Sequence, residues 1–210
     1  MITVENVTKI YQNQKVLDQV SLQVQENKIY GIIGRNGSGK TVLFKSICGF
    51  IYTDSGIITI DGKIIGQDTD MAENVGIIIE NPGFLPNYSA FKNLKLLAMI
   101  HNCISDQQIR DAIVRVGLDP DSKKAVGKYS LGMKQRLGIA QAVMENPKYL
   151  ILDEPMNGLD NRGVEDMRRL LLQLKQEGHC ILIASHNPTD IEVLCDEVFE
   201  MDCGILEKKK

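Results

Sequence analysis

No two cysteines of the 210-residue chain stand at metal-binding or redox spacing, and the five present (Cys48, Cys103, Cys180, Cys195, Cys203) are odd in number. The sequence therefore offers no disulfide framework and no zinc site, which fits a reducing cytosol. Histidine is scarce as well: of three, only His186 lies beside other chemistry. No charged leader followed by an apolar stretch opens the chain, and no apolar run reaches about 18 residues, so neither a secretory signal nor a membrane-spanning helix is expected. A cytoplasmic location follows as the expectation, and any membrane role must come through a partner. Basic character is missing too. A net charge of −3 argues against charge-driven binding of nucleic acid. The terminal Lys208-Lys209-Lys210 is expected to be a solvated frayed tail rather than a contact for anionic lipid.

What remains is an ordinary globular composition, 43% hydrophobic and 24% charged, in a chain long enough for a substantial core. One domain spanning 1–210 is expected. Ile2–Tyr11, Val16–Val24 and the apolar run Ile29–Ile33 read as strands, Thr41–Cys48 as a helix stopped by Gly49, and Gly56–Ile60 with Lys63–Ile65 as a hairpin turning at Asp61-Gly62. Val75–Ile79 reads as another buried strand. From about 85 to 128 the pattern turns helical. Ser89 precedes Phe91, Leu94, Leu97 and Ala98 at helical spacing. Ser105 with Gln108 forms a capping-box pattern ahead of Ile109, Ala112, Ile113 and Val116, and Gly117 is a stop. Strand–helix alternation then resumes through Met133–Met144, Tyr149–Leu152, Val164–Lys175, Cys180–Ala184, Thr189–Leu194 and Val198–Met201. The fold class predicted is α/β: a mainly parallel core sheet, an N-terminal antiparallel β part over about 1–30 and 52–66, and an inserted helical part over about 85–128.

Two motifs carry phosphate chemistry. Gly34-Arg35-Asn36-Gly37-Ser38-Gly39-Lys40-Thr41 satisfies G-x-x-x-x-G-K-[ST] between a predicted strand and a predicted helix. Its glycines let backbone N–H groups surround phosphate oxygens, the helix start adds its positive end, Lys40 reaches the outer phosphates, and the Thr41 hydroxyl is a ligand for Mg²⁺. Tyr149-Leu150-Ile151-Leu152-Asp153-Glu154-Pro155 is an apolar strand ending in two carboxylates, where ligands of open α/β sheets lie. Asp153 is placed to hold Mg²⁺ and Glu154 to orient or deprotonate the attacking water. A P-loop NTPase with a RecA-like core is the reading.

A third segment, Tyr129-Ser130-Leu131-Gly132-Met133-Lys134-Gln135-Arg136, lies just upstream of the acidic strand. With it the chain resembles, over nearly its whole length, the ATP-binding subunit of an ABC transporter, whose signature is L-S-G-G-Q followed by x-Q-R. The resemblance implies that Ser130 and Gly132, with Lys134 beside them, meet the γ-phosphate of ATP held by a second subunit. A capping hydroxyl and free N–H groups at a helix start favour an anion there. It implies further that Tyr11 stacks on adenine with Val16 nearby, that Asp160 in Asn157-Gly158-Leu159-Asp160 communicates between the two sites, and that His186 contacts the γ-phosphate. From the residues alone, Tyr11 is equally a packed strand aromatic.

The departures are specific. Leu131 replaces the first glycine, Met133 the glutamine and Tyr129 the leucine. Leu131 either holds the helix start further from phosphate or occupies an outward position. Where the family usually ends the Val75–Ile79 strand in glutamine, this chain has Glu80, a harder ligand for a cation. Without the cation it would sit near phosphates and Glu154, and like charges would oppose its ionisation. A neutral substitution is the other reading. Together these residues resemble the bacitracin- and lantibiotic-type exporter and immunity branch.

The resemblance implies an ATPase using ATP and Mg²⁺, working as a dimer, most simply a homodimer, against a separate transmembrane permease subunit on the inner face of the membrane. The Glu80–Asn93 region would press on that permease. Export of an antimicrobial peptide, antibiotic or similar amphiphile follows from the branch alone. A soluble ABC-type ATPase of translation or DNA maintenance is the alternative, and a catalytically dead regulator is disfavoured by Lys40, Asp153, Glu154 and His186.

Overall fold

A computed structural model describes residues 1–80 and 83–210. Its first sheet is antiparallel. Strands β1 (Ile2–Tyr11) and β2 (Gln14–Val24) form a hairpin whose two-residue turn, Gln12-Asn13, has both φ angles positive, as a right-twisted hairpin requires. After β3 (Ile29–Ile33) and helix α1 (Lys40–Ile47), β4 (Ser55–Ile60) and β5 (Lys63–Ile64) turn at Asp61-Gly62, as the sequence predicts, and complete the order β2-β1-β4-β5.

The remaining elements are β6 (Val75–Ile78), α2 (Ala90–His101), α3 (Asp106–Arg115), α4 (Leu131–Val143), β7 (Tyr149–Asp153), α5 (Asn161–Gln176), β8 (Cys180–Ala184), α6 (Pro188–Leu194), β9 (Glu197–Asp202) and β10 (Ile205–Lys208). The core sheet runs β10-β9-β3-β8-β7-β6, parallel except for the β9–β10 hairpin. Its central strands are apolar on both faces because both faces are covered. On β7, Tyr149 and Ile151 face α1 and the antiparallel sheet, while Leu150 and Leu152 face the side of α2 to α5. A fully buried Leu or Ile contributes about 2 kcal/mol, against about 1 for a helix cap, so packing decides where each element lies and capping decides where it begins.

The two sheets are joined at Asp61. Its carboxylate accepts hydrogen bonds from the Tyr149 hydroxyl at 2.6 Å, the Lys148 ammonium at 2.9 Å and the N-terminal ammonium at 2.5 Å. Burial alone pushes this carboxyl up, but those three donors outweigh it and hold it well below the usual carboxylate range.

Three expectations are corrected. Helices α4 and α5 begin at Leu131 and Asn161, before Met133 and Val164, because the caps Ser130 and Asp160 precede first turns with little apolar signal. The lysine tail is not frayed. The Cys203-Gly204 turn, with φ of 48° and 81°, returns the chain as β10, and the Lys209 and Lys210 amides donate to the Val198 carbonyl at 2.8 and 3.2 Å. Lys208 and Lys209 pair with Glu197 and Glu200 at 2.8 and 2.9 Å. Ile29 and Tyr30, placed with the antiparallel part, belong to β3 of the core sheet. Asn81 and Pro82, inside the stretch Glu80–Asn93, lie outside the described residues.

Candidate nucleotide site

Helices α2 to α6 each have a side-chain cap: Ser89, Ser105, Ser130, Asp160 and Asn187 accept from first-turn amides. Helix α1 has none. Its N-cap is Gly39, φ 115°, and a Cβ there would stand 2.6 Å from the Val16 carbonyl oxygen, so only glycine brings the loop this close to β2. Free N–H groups and the positive end of α1 thus face a cavity of about 520 Å³. Val16, Asn36, Gly37, Gly39, Lys40 and Thr41 line it on the loop side. The Ser38 hydroxyl, buried in the same loop, has no hydrogen-bond partner among the described residues.

Charged groups converge on the other side, at the carboxyl ends of the parallel strands. The Thr41 hydroxyl donates to Asp153 Oδ2 at 2.6 Å. The buried Lys40 ammonium is held by the loop's own Gly34 and Arg35 carbonyls, at 2.7 and 3.0 Å. Glu154 Oε2 lies 2.8 Å from His186 Nδ1, which joins two residues that the sequence separates by the helix α5 and the strand β8. His186 is steadied from behind. The Ser185 hydroxyl donates to the buried Asp190 at 3.2 Å, and the Arg168 guanidinium pairs with Asp190 at 2.5 Å.

Glu154 is in the left-handed region, φ 52°, a conformation that costs a side-chain-bearing residue about 1–2 kcal/mol. Its N–H donates to the Ala184 carbonyl at 2.9 Å, and its own carbonyl accepts from the Asn157 amide at 3.1 Å and from Gln135 Nε2 at 3.3 Å. Glu80 is also left-handed, φ 61°, and lines the cavity. Its carboxylate pairs with Lys45 Nζ at 2.7 Å, in a cavity wall it shares with Asp153 and Glu154.

Thr41 and Asp153 present hard oxygens suited to Mg²⁺. Among the described residues no cluster of three Asp, Glu, His or Cys side chains exists to cage a metal. Two protein oxygens with the remainder from water and phosphate is the donor set Mg²⁺ takes, so the residues fit. Burial pushes the Cys48, Cys180 and Cys195 thiols up to about 12, which leaves no thiolate for nucleophilic chemistry among these three.

The other expected site residues lie elsewhere. Ser130 Oγ accepts from the Met133 amide at 3.2 Å, Gly132 abuts the Gly158 carbonyl, and Asp160 Oδ1 accepts from Gly163 at 3.0 Å. This second cluster, with Lys134 half-buried beside it, does not line the cavity. Leu131 is 59% exposed, at the first helical position. Its side chain covers Gly158, where a Cβ would meet it at 2.5 Å. Tyr11 is exposed beside Lys9, 5.3 Å from ring centre to ammonium, and is absent from the cavity wall. Arg35 lines a neighbouring cavity with Ser185 and His186. Sequence reasoning gave no role to Gln135 or Asn157, which both line the nucleotide cavity. For Gln135 a signal existed: it is a polar residue in the buried stripe it shares with Ile139 and Ala142.

Residues 17–157 match the family model for ABC transporters. Over 207 residues the chain is 47% identical to the uncharacterized ABC transporter ATP-binding protein YybJ of Bacillus subtilis, covering 99% of this chain and 95% of that one. It is 42% identical over 212 residues to the bacitracin transport ATP-binding protein BcrA of Bacillus licheniformis, covering all of this chain and 68% of the relative. A dimeric bacterial ABC transporter cassette of known structure has the same fold, with a TM-score of 0.90 at 22% identity, covering 100% of this chain and 98% of the other.

Proposed function

The chain belongs to the ABC transporter family, and from that premise we propose that it powers export of a peptide antibiotic or similar amphiphile through a separate membrane subunit. It is an ATP-binding subunit and an ATPase, of a kind that works as a dimer with transmembrane partners. No helix among the described residues is long and apolar enough to cross a membrane. The observation that carries the reading is the convergence of Lys40, the Thr41–Asp153 pair and Glu154 on one cavity below the uncapped α1, with His186 reaching Glu154 from the neighbouring cavity.

The residues act as follows. The α1 amides and the loop surround the phosphates, and Lys40 exchanges its two loop carbonyls for phosphate oxygens, a stronger charge-assisted pairing. Thr41 and Asp153 would hold Mg²⁺, which would neutralise charge on the outer phosphates. Val16 lies under the base, with Tyr11 swinging in from the exposed strand end. Glu154 orients the attacking water and accepts its proton. In the present geometry His186 occupies one oxygen of that base. An arriving γ-phosphate competes for the imidazole and frees Glu154 for water, so the histidine acts as the sensor of a triphosphate.

Ser130, Gly132 and Lys134 serve the site of a second copy, with Asp160 between the two. Arg136 donates to the Val116 carbonyl at 2.8 Å and to Asp166 at 3.2 Å, which ties the helical part at 85–128 to the core and carries dimer closure outward to the permease. Glu80, paired with Lys45 through one oxygen, borders the same cavity and would offer a further carboxylate to the metal. Phosphate-release measurements on the purified chain, with recovery of its binding partners from the native cell, test the reading. Saturable MgATP hydrolysis and recovery of an integral membrane protein are expected. Recovery of ribosomes or DNA in its place would give the soluble alternative the better case.

A further inference from the structure

We propose that Gln135 is a positioning residue that couples the helix start serving the second subunit's nucleotide to the catalytic base of this subunit's own site. The inference rests on the ATPase reading above. Gln135 is 5% exposed, lines the nucleotide cavity, and donates from Nε2 to the Glu154 carbonyl at 3.3 Å. That carbonyl belongs to a residue held left-handed, with its N–H fixed to β8 through Ala184 and its carbonyl fixed to the Asn157 amide. Gln135 is the one of these three restraints that comes from α4. It stands five residues from the cap Ser130, about 7.5 Å along a rigid helix. A displacement of the α4 start toward a γ-phosphate is therefore delivered to the peptide of Glu154, and with it to the carboxylate facing His186.

A filler residue at this place in the stripe would be apolar, like Ile139 and Ala142 on the same face. An amide is worth burying only if its hydrogen bond does something, since burial without a partner is costly. The geometry also separates positioning from stability. If Gln135 loses its donor, the Glu154 carbonyl keeps the Asn157 amide, so no buried acceptor is orphaned.

The test compares the full chain as wild type, Glu154→Gln and Gln135→Met, the last of which keeps volume and removes the donor. We expect Gln135→Met to lower kcat about tenfold, with KM, nucleotide affinity and thermal midpoint unchanged, and to bring the Hill coefficient for ATP toward one. An unaltered kcat and Hill coefficient overturns the proposal. Parallel losses of affinity, thermal midpoint and kcat also overturn it, because they assign Gln135 to packing. Should Gln135→Met prove insoluble, Gln135→Glu retains polarity without a donor at neutral pH and faces the same criteria. A wild type without phosphate release would overturn the ATPase reading and this inference together. A normal wild type with a silent Gln135→Met would overturn only the latter.

Discussion

Two helix starts of the molecule, those of α1 and α4, are finished differently. At the start of α1 no side chain caps the amides, and the polar groups around it are paired: Thr41 with Asp153, Glu154 with His186, Lys40 with carbonyls of its own loop. At the start of α4 the hydroxyl of Ser130 caps the helix, and the exposed Leu131 lies over Gly158. The first gathers an uncapped helix start, a lysine, a hydroxyl and two carboxylates around one cavity of a single chain. The second has the donors of an anion site without the rest. The difference is what the proposed composite site needs, in which each chain holds most of one site and lends a helix start to its partner's.

The largest expected effect comes from breaking the first region. Glu154→Gln removes the base while preserving shape, and turnover should fall by about 10²- to 10³-fold. ATP affinity should survive, and a dimer should accumulate with ATP, visible by light scattering. Turnover at the wild-type level would remove Glu154 from its role. The second region is probed by Ser130→Ala. Loss of the cap should cost about 1 kcal/mol of stability and lower turnover about tenfold, while the isolated subunit's ATP affinity stays the same. If affinity falls instead, the α4 start lies in the chain's own site and the comparison fails.

How much of this was legible in the sequence divides along the same line. The first region was legible because its chemistry is written in consecutive residues: a loop of fixed spacing and a strand ending in two acids. The core sheet was legible because strands covered on both faces need unbroken apolar runs. Contacts made across the fold were not legible. The Glu154–His186 pair joins residues 32 apart, and the Glu80–Lys45 pair spans 35, distances that only the parallel topology closes. Strand β10 escaped notice because its turn uses Cys203-Gly204, without the Asn or Asp that usually marks such a hairpin.

A smaller effect isolates the contact that distinguishes this signature segment. Gly158 has φ 76° and lies under Leu131. Gly158→Ala should destabilise by about 1 kcal/mol from backbone strain, with a further contribution from the clash. Leu131→Ala in the same chain should recover the clash portion, leaving a coupling energy of about 1 kcal/mol in a double-mutant cycle followed by thermal unfolding. Additive losses would mean the side chain of Leu131 moves aside freely, and its exposed position would then carry no constraint on the loop.

The smallest effect concerns Glu80, which borders the first region without belonging to its inner set of pairs. The Glu80–Lys45 pair is exposed, and exposed pairs contribute between nothing and about 1 kcal/mol, so Glu80→Gln should leave the thermal midpoint nearly unchanged. Its consequence should instead appear in the metal titration. A carboxylate offered to Mg²⁺ adds a charged ligand to a set that otherwise has only Asp153, so replacing it with an amide should raise the Mg²⁺ concentration for half-maximal turnover by about threefold. Lys45→Met, which frees the carboxylate without altering it, should move the same midpoint in the opposite direction. Opposed shifts would place Glu80 inside the metal's reach and enlarge that site by one residue. An unchanged titration in both variants would return Glu80 to an ordinary surface pair and leave the boundary of the first region at Asp153 and Glu154.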